Sequence, residues 1–332
     1  MQLISRKQLL LAATTLITPD IFDQQNPIPS VLSSSSSATI PILSADEWKI
    51  WSHNVRKSTL DYLENNDVGS NGVTPGALIR LAFHDAVTGT PNGSIAYELA
   101  WSENRALQRP LEVVESIYEN SQQQQQLTKV GSLADTIALV ATQAIAYTGG
   151  PDIAIRLGRP DANEADAYLL ERPLSRQTPR SVVTKSMPDA GLDSDGLRVY
   201  FGERLGIPEA EWVALCGIHG LGRHVSLLGM DKSCLRQLTR ECLENAPVLL
   251  PFVTESVDRF SNQYFQALLL WNARQVSLGQ VAFIPTDVAL VVDTGLKWHV
   301  QKFASNEALY RRTFARGWQR LVESTATTHQ RY

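Results

Sequence analysis

The chain has 332 residues, 43% hydrophobic and 19% charged, with a formal net charge of −4 at pH 7. That length and apolar content suffice for a buried core in one large domain or two ordinary ones, and the scattered basic residues speak against nucleic acid or an anionic membrane surface as partner. The three cysteines, Cys216, Cys234 and Cys242, are too few for a disulfide framework and are not spaced as zinc ligands, although Cys234 and Cys242 could pair in an oxidising compartment.

Residues 1–45 differ from the rest. Ser5-Arg6-Lys7-Gln8 precedes an apolar run from Leu9 to Ile17, and Ser33 to Ser37 is an unbroken serine tract. The run is too short to span a bilayer comfortably but fits the apolar part of a targeting signal. Arg6-Lys7 resembles the basic pair of a twin-arginine export signal, with lysine in the second place. A disordered tail with a chance apolar stretch is the other reading. We take 1–45 as a targeting segment and Ser-rich disordered linker, 46–325 as the folded domain and 326–332 as a C-terminal tail. No later segment is apolar over a membrane-spanning length, so an integral membrane protein is not expected.

From about residue 46 the pattern is mainly helical. Thr74-Pro75 predicts a helix start, a capping hydroxyl followed by a proline whose missing N–H costs nothing in the first turn. Leu78, Leu81 and Ala82 then recur at helical spacing. Gln122 to Gln126 reads as a polar surface loop between helices. Further helical runs are expected over roughly 132–148, 193–205, 208–218, 258–273 and 305–322. Strand-like alternation is short, as in Ala282 to Ile284. There is no internal repeat, and the simplest architecture is one mostly α domain.

Arg80 and His84 stand four residues apart and therefore on one helical face. A guanidinium and an imidazole so placed would repel if both were charged, so His84 is expected to be neutral, a base beside a fixed cation. Such a pair can take a proton from a weak acid such as a peroxide and stabilise the charge that develops on the departing oxygen. For an isolated R-x-x-x-H, a surface arginine and a satisfied core histidine would be the better reading. The apolar flank Leu81-Ala82-Phe83 demands a reason for two polar groups there. Farther along, a helix over 208–218 ends at Gly220 and Gly222. That places His219 at a helix C-terminus, where the carbonyl dipole makes an imidazole more basic.

Arg80 to Ala86 and Ala214 to Arg223 resemble the distal and proximal motifs of the plant, fungal and bacterial haem peroxidase superfamily. Pro91 to Ile95 and Glu98 to Asn104 resemble the continuation of the distal motif in the class I, ascorbate-peroxidase-like branch. Gly149 to Asp152, Gly158 to Asp161 and Pro285 to Leu290 resemble further family landmarks. The likeness extends over roughly residues 46–325. It implies a mostly α haem-peroxidase domain with haem b held between distal and proximal helices. His84 and Arg80 would cleave hydrogen peroxide, and Asn104 would accept the Nδ1–H of His84 or, alternatively, serve as an ordinary cap. His219 would be the axial ligand of the haem iron and Asp287 the acceptor for its other ring nitrogen. Phe83 would wall the distal pocket and Phe252 the proximal one.

The chain departs from that branch in informative places. Phe83 stands where class I enzymes commonly carry tryptophan, and Phe252 is the nearest candidate for their proximal tryptophan, beside an insertion around 228–250. A phenyl ring is harder to oxidise than an indole, so a radical on that side chain is not expected. Leu228 and Gly72 occupy the places of the ascorbate-binding arginine and lysine, which leaves the small-molecule donor open. Val73 and Ala77 replace the carboxylates of manganese-oxidising relatives, and Gly220 replaces a cation ligand. The expectation is therefore a haem peroxidase of oxidative stress response using hydrogen peroxide and a small reductant. The alternative is a catalytically weak or haem-free interaction subunit of a photosynthetic membrane complex. The N-terminal segment points to export or to an organelle, with the plastid thylakoid lumen as one such place.

Overall fold

The computed structural model describes residues 43–65, 73–88, 90–101, 104, 106–123, 130–165, 188, 191–221, 223–225, 249–251, 258–271 and 283–332. Contacts divide the chain into one unit of residues 38–224 and 250–332 and another of residues 1–37 and 225–249, and every described helix belongs to the first. The described residues are mostly α, as expected. The short strands β1 (Arg223–Val225) and β2 (Leu249–Pro251) pair with each other. Among the described residues no helix is long and apolar enough to cross a membrane.

Helix α1 (Ala45–Asn65) opens with a reciprocal cap. The Ser44 N–H donates to Glu47 Oε2 at 2.7 Å and the Glu47 N–H to Ser44 Oγ at 3.3 Å. Helix α2 (Pro75–Thr88) starts where Thr74-Pro75 predicts, with Thr74 Oγ1 accepting the Ala77 N–H. Helices α1 and α3 (Gln108–Gln123) were not among the segments singled out by periodicity. Gln122 and Gln123, expected in a surface loop, instead finish α3, because the i→i+4 ladder carries polar residues as readily as apolar ones when one face is buried. Residues 124–129 lie outside the described set.

Helix α4 (Leu133–Tyr147) is buried nearly all round and packs against α1, α2 and α3. Its N-terminus is closed twice over. Ser132 Oγ accepts the Asp135 N–H, while Asp161 accepts the Leu133 and Ala134 N–H groups. In its first turn Asp135 is fully buried and paired with the equally buried Arg159 at 2.6 Å. The Arg159 Nε–H donates to the Val322 carbonyl, tying the 158–161 segment to the last helix.

In the second half, the run expected over 193–205 is a helical turn α5 (Ser194–Leu197) continued by a π-helix through Arg204. The run at 208–218 is α6 (Glu209–Cys216), followed by a 3-10 turn over Gly217–Leu221. Helix α7 is shorter than predicted (Gln263–Leu269), with 272–282 outside the described residues. Phe283 and Ile284 are not a strand: Ile284 is extended because it is the N-cap of α8 (Pro285–Val292). The expected 305–322 run is divided by Asn306, which ends α9 (Thr294–Ser305) and caps α10 (Glu307–Val322) through its Oδ1.

Helix α10 touches both α6 and α2 and so links the two histidine-bearing segments. The residues set apart as a tail, 326–332, are hydrogen-bonded to 155–158 through Ile155 with Tyr332 and Leu157 with Thr327 and Thr328. Residues 1–42, Gly72, Leu228, Cys234, Cys242 and Phe252 lie outside the described residues, as does all of the 228–250 insertion but the strand residues 249 and 250.

Candidate functional site

Helix α2 carries Arg80, Phe83 and His84 in that order along its middle turns. His84 is 5% exposed and lies edge-on to Phe83, with ring centroids 6.2 Å apart. Its Nδ1 is 2.8 Å from Asn104 Oδ1. The orientation of that amide is fixed independently, because Asn104 Nδ2 donates to the Glu98 carbonyl at 2.9 Å. The amide oxygen therefore faces the ring, Nδ1 carries the proton, and the lone pair sits on Nε2. Burial pulls the His84 pKa down to about 3, with the Arg80 charge acting in the same direction and the Asn104 hydrogen bond opposing it. Burial also lowers Arg80, to about 10, so at neutral pH a guanidinium cation stands beside a neutral imidazole.

The loop that delivers Asn104 is held by a residue whose role the sequence did not disclose. Asp85, 1% exposed, accepts the Gly93 and Ile95 N–H groups through its two carboxylate oxygens. Gly93 has φ of 77°, a turn that favours glycine. Asp85 thus anchors the start of the 93–104 segment to the same helix that carries His84.

His219 lies three positions beyond the last residue of α6, on the 3-10 turn. Its Nδ1 is 2.8 Å from Asp287 Oδ1. Asp287 is 1% exposed in the first turn of α8, where its other oxygen accepts the Ile284 N–H at 3.0 Å. Burial by itself would favour neutral His219, but the charge of Asp287 and its hydrogen bond outweigh burial and raise the pKa. A third residue joins them. Tyr264 on α7 donates its hydroxyl to Asp287 Oδ1 at 2.6 Å, and burial first, then the Asp287 charge, keep that phenol protonated. Tyr264 was hidden inside an apolar-looking helical run; the available signal was that a buried tyrosine hydroxyl needs a partner.

The structure thus brings together His84 with Arg80, Phe83 and Asn104, and His219 with Asp287. The two groups sit on contacting elements. Gly76 at the start of α2 lies so close to the proximal turn that a Cβ there would be 2.7 Å from the Leu221 carbonyl oxygen. Of the His219 side-chain surface 34% is accessible, against 1% for its partner Asp287. An imidazole whose Nδ1 is tied to a buried carboxylate while part of its surface stays accessible is arranged as a residue that would hold a haem iron through Nε2. No cluster of three or more metal-ligating side chains occurs among the described residues, so a bare-ion site is not indicated there.

A family model described as Peroxidase matches residues 56–306. Among proteins with related sequences, one of Cryptococcus neoformans var. neoformans named as a heme-binding peroxidase is 32% identical, over 58% of this chain and 53% of its own. The mitochondrial cytochrome c peroxidase of Emericella nidulans is 29% identical, over 77% of this chain and 65% of its own. The chloroplastic L-ascorbate peroxidase T of Arabidopsis thaliana is 28% identical, over 72% and 53% respectively. The chain spans about half the length of the Cryptococcus and Arabidopsis proteins.

Proposed function

Since the chain belongs to the peroxidase family, we propose that it is a haem peroxidase that reduces hydrogen peroxide with electrons from a small donor. One observation carries the reading: each of two histidines on contacting elements has its Nδ1 committed to an oxygen acceptor, Asn104 for His84 and Asp287 for His219. For His84 that leaves the lone pair on Nε2 for proton transfer, and for His219 it leaves Nε2 as the atom that would meet a metal.

In this reading His219 holds the iron of haem b, oriented by Asp287. The sequence has no C-x-x-C-H motif for covalent attachment, which supports the b type. Bound haem supplies the iron at which the peroxide O–O bond is cleaved. His84, neutral down to about pH 3, accepts the proton of the near oxygen at Nε2 and returns it to the leaving oxygen. Arg80 stabilises negative charge on that oxygen, and Asn104 keeps the His84 lone pair on Nε2. Phe83 walls the pocket on the distal side. Phe252, outside the described residues, is the proposed aromatic neighbour on the proximal side. In the net reaction, hydrogen peroxide and two protons would become two waters with two electrons supplied one at a time by the donor, an exchange that haem would mediate when bound.

The identity of the small donor stays open: Leu228 and Gly72, at the places of the family's ascorbate-binding cations, supply no charge to hold an enediolate. Relatives named for chloroplastic and mitochondrial locations support an organellar placement. The interaction-subunit reading would give no reason for an arginine beside the buried His84 or for a carboxylate placed on His219. A reconstitution experiment separates the possibilities. Adding haem and then stoichiometric peroxide should give a histidine-ligated Soret spectrum that changes within milliseconds. An unchanged ferric spectrum would indicate haem binding without catalysis, and no Soret band an interaction subunit.

A further inference from the structure

Asp287 Oδ1 accepts two donors, Nδ1–H of His219 at 2.8 Å and the Tyr264 hydroxyl at 2.6 Å, while Oδ2 accepts the Ile284 N–H at 3.0 Å. The carboxylate is therefore held by three donors from three separate segments. Tyr264 is 0% exposed, and its ring is wedged edge-on against His219 at 5.9 Å, Phe265 at 5.0 Å and Phe283 at 5.9 Å. A phenylalanine would make each of those ring contacts. The hydroxyl adds only the hydrogen bond to Asp287, aimed at the same oxygen that His219 uses.

Two donors on one oxygen divide its negative charge. The more the phenol draws, the less the carboxylate polarises the His219 N–H and the weaker a ligand that imidazole is. We propose that Tyr264 is a positioning residue that shares Asp287 with His219 and thereby sets how strongly His219 donates to a bound metal. The inference rests on His219 being the haem ligand. It assigns to Tyr264 a tuning role without contact with haem or peroxide. It also explains why this buried position carries a hydroxyl although the packing requires only a ring.

The test uses the full-length protein loaded with haem, and reads the reduction potential and the ferrous iron–histidine stretching frequency. Tyr264→Phe should strengthen the Asp287–His219 bond. The ferrous-to-ferric ratio at a fixed mediator potential should then fall roughly tenfold, the scale of one hydrogen bond to a charged group, and the stretching frequency should rise. Replacing Tyr264 with 3,5-difluorotyrosine, a stronger donor of the same shape, should move both readouts the opposite way, and it serves if the phenylalanine variant does not fold. Unchanged readouts in correctly ligated variants, or shifts of the same sign in both, would overturn the inference. If the unmodified protein shows no histidine-ligated haem, the functional reading itself fails and this inference with it, a result distinguishable because it appears without any substitution.

Discussion

Gly76 and Leu221 make a close approach between the helix that carries His84 and the turn that carries His219: a Cβ at Gly76 would lie 2.7 Å from the Leu221 carbonyl oxygen. His84 follows Gly76 by eight residues, about two helical turns or roughly 12 Å along the axis. The two elements thus touch at the N-terminal end of α2.

That contact makes Gly76→Ala a direct probe of the arrangement. The neighbour is backbone, so the methyl group forces α2 and the turn apart, with an expected loss of about 1–3 kcal/mol. Gly202→Ala is the control, because nothing lies within 4 Å of a Cβ there. Replacing that glycine should be neutral or stabilising by up to ~1 kcal/mol. Thermal denaturation of the two variants checks both, and equal melting temperatures would remove the close approach from the account.

The environment of His84 fixes a pH dependence. Its pKa falls from 6.5 in the unfolded chain to about 3 in the folded one. Between those values the unfolded state binds a proton that the native state does not. This contribution to stability is therefore complete above 6.5 and is lost as pH falls towards 3. The rate of reaction with peroxide should accordingly show no limb near pH 6.5. Arg80→Leu removes one of two lowering influences, so the acid limb should move up from about 3 without reaching 6.5. The rate itself should drop by roughly 10²-fold or more. Stopped-flow rates across pH measure both effects.

Asn104→Ala leaves His84 in place but frees its tautomer. Losing one neutral hydrogen bond corresponds to about 0.5–1.5 kcal/mol, so the peroxide rate should fall by roughly two- to tenfold. A helix cap alone would instead show a lower melting temperature with an unaltered rate.

Asp135 and Arg159 form a pair at 0% exposure for both side chains. Removing one partner strands a buried charge, so Arg159→Met should destabilise by about 3–5 kcal/mol, and replacing both partners with apolar residues should recover part of that loss. Chemical denaturation of the single and double variants provides the comparison.

Much of this was legible in the chain because it is local. Thr74-Pro75 marked the start of α2, and the four-residue spacing put Arg80 and His84 on one face. Helices α1 and α3 escaped notice because their apolar positions are interrupted by polar residues, and their stability comes from packing on α4. Asn104 and Asp287 were reached only through family likeness, since a partner 20 or 68 residues away leaves no periodic trace. Tyr264 and Asp85 were not read at all. Their meaning lies in hydrogen bonds between elements, and nothing in Gln263-Tyr264-Phe265 distinguishes a tuning hydroxyl from a core ring.

The most direct test compares the second-order rate of peroxide reaction in the haem-loaded protein and in His84→Leu, with His219 ligation verified in both by the Soret spectrum. The rate should fall by roughly 10²–10⁴-fold, as expected when a positioned acid–base group is lost. Equal rates in the two proteins would mean that His84 does not face the iron held by His219, which would contradict the account.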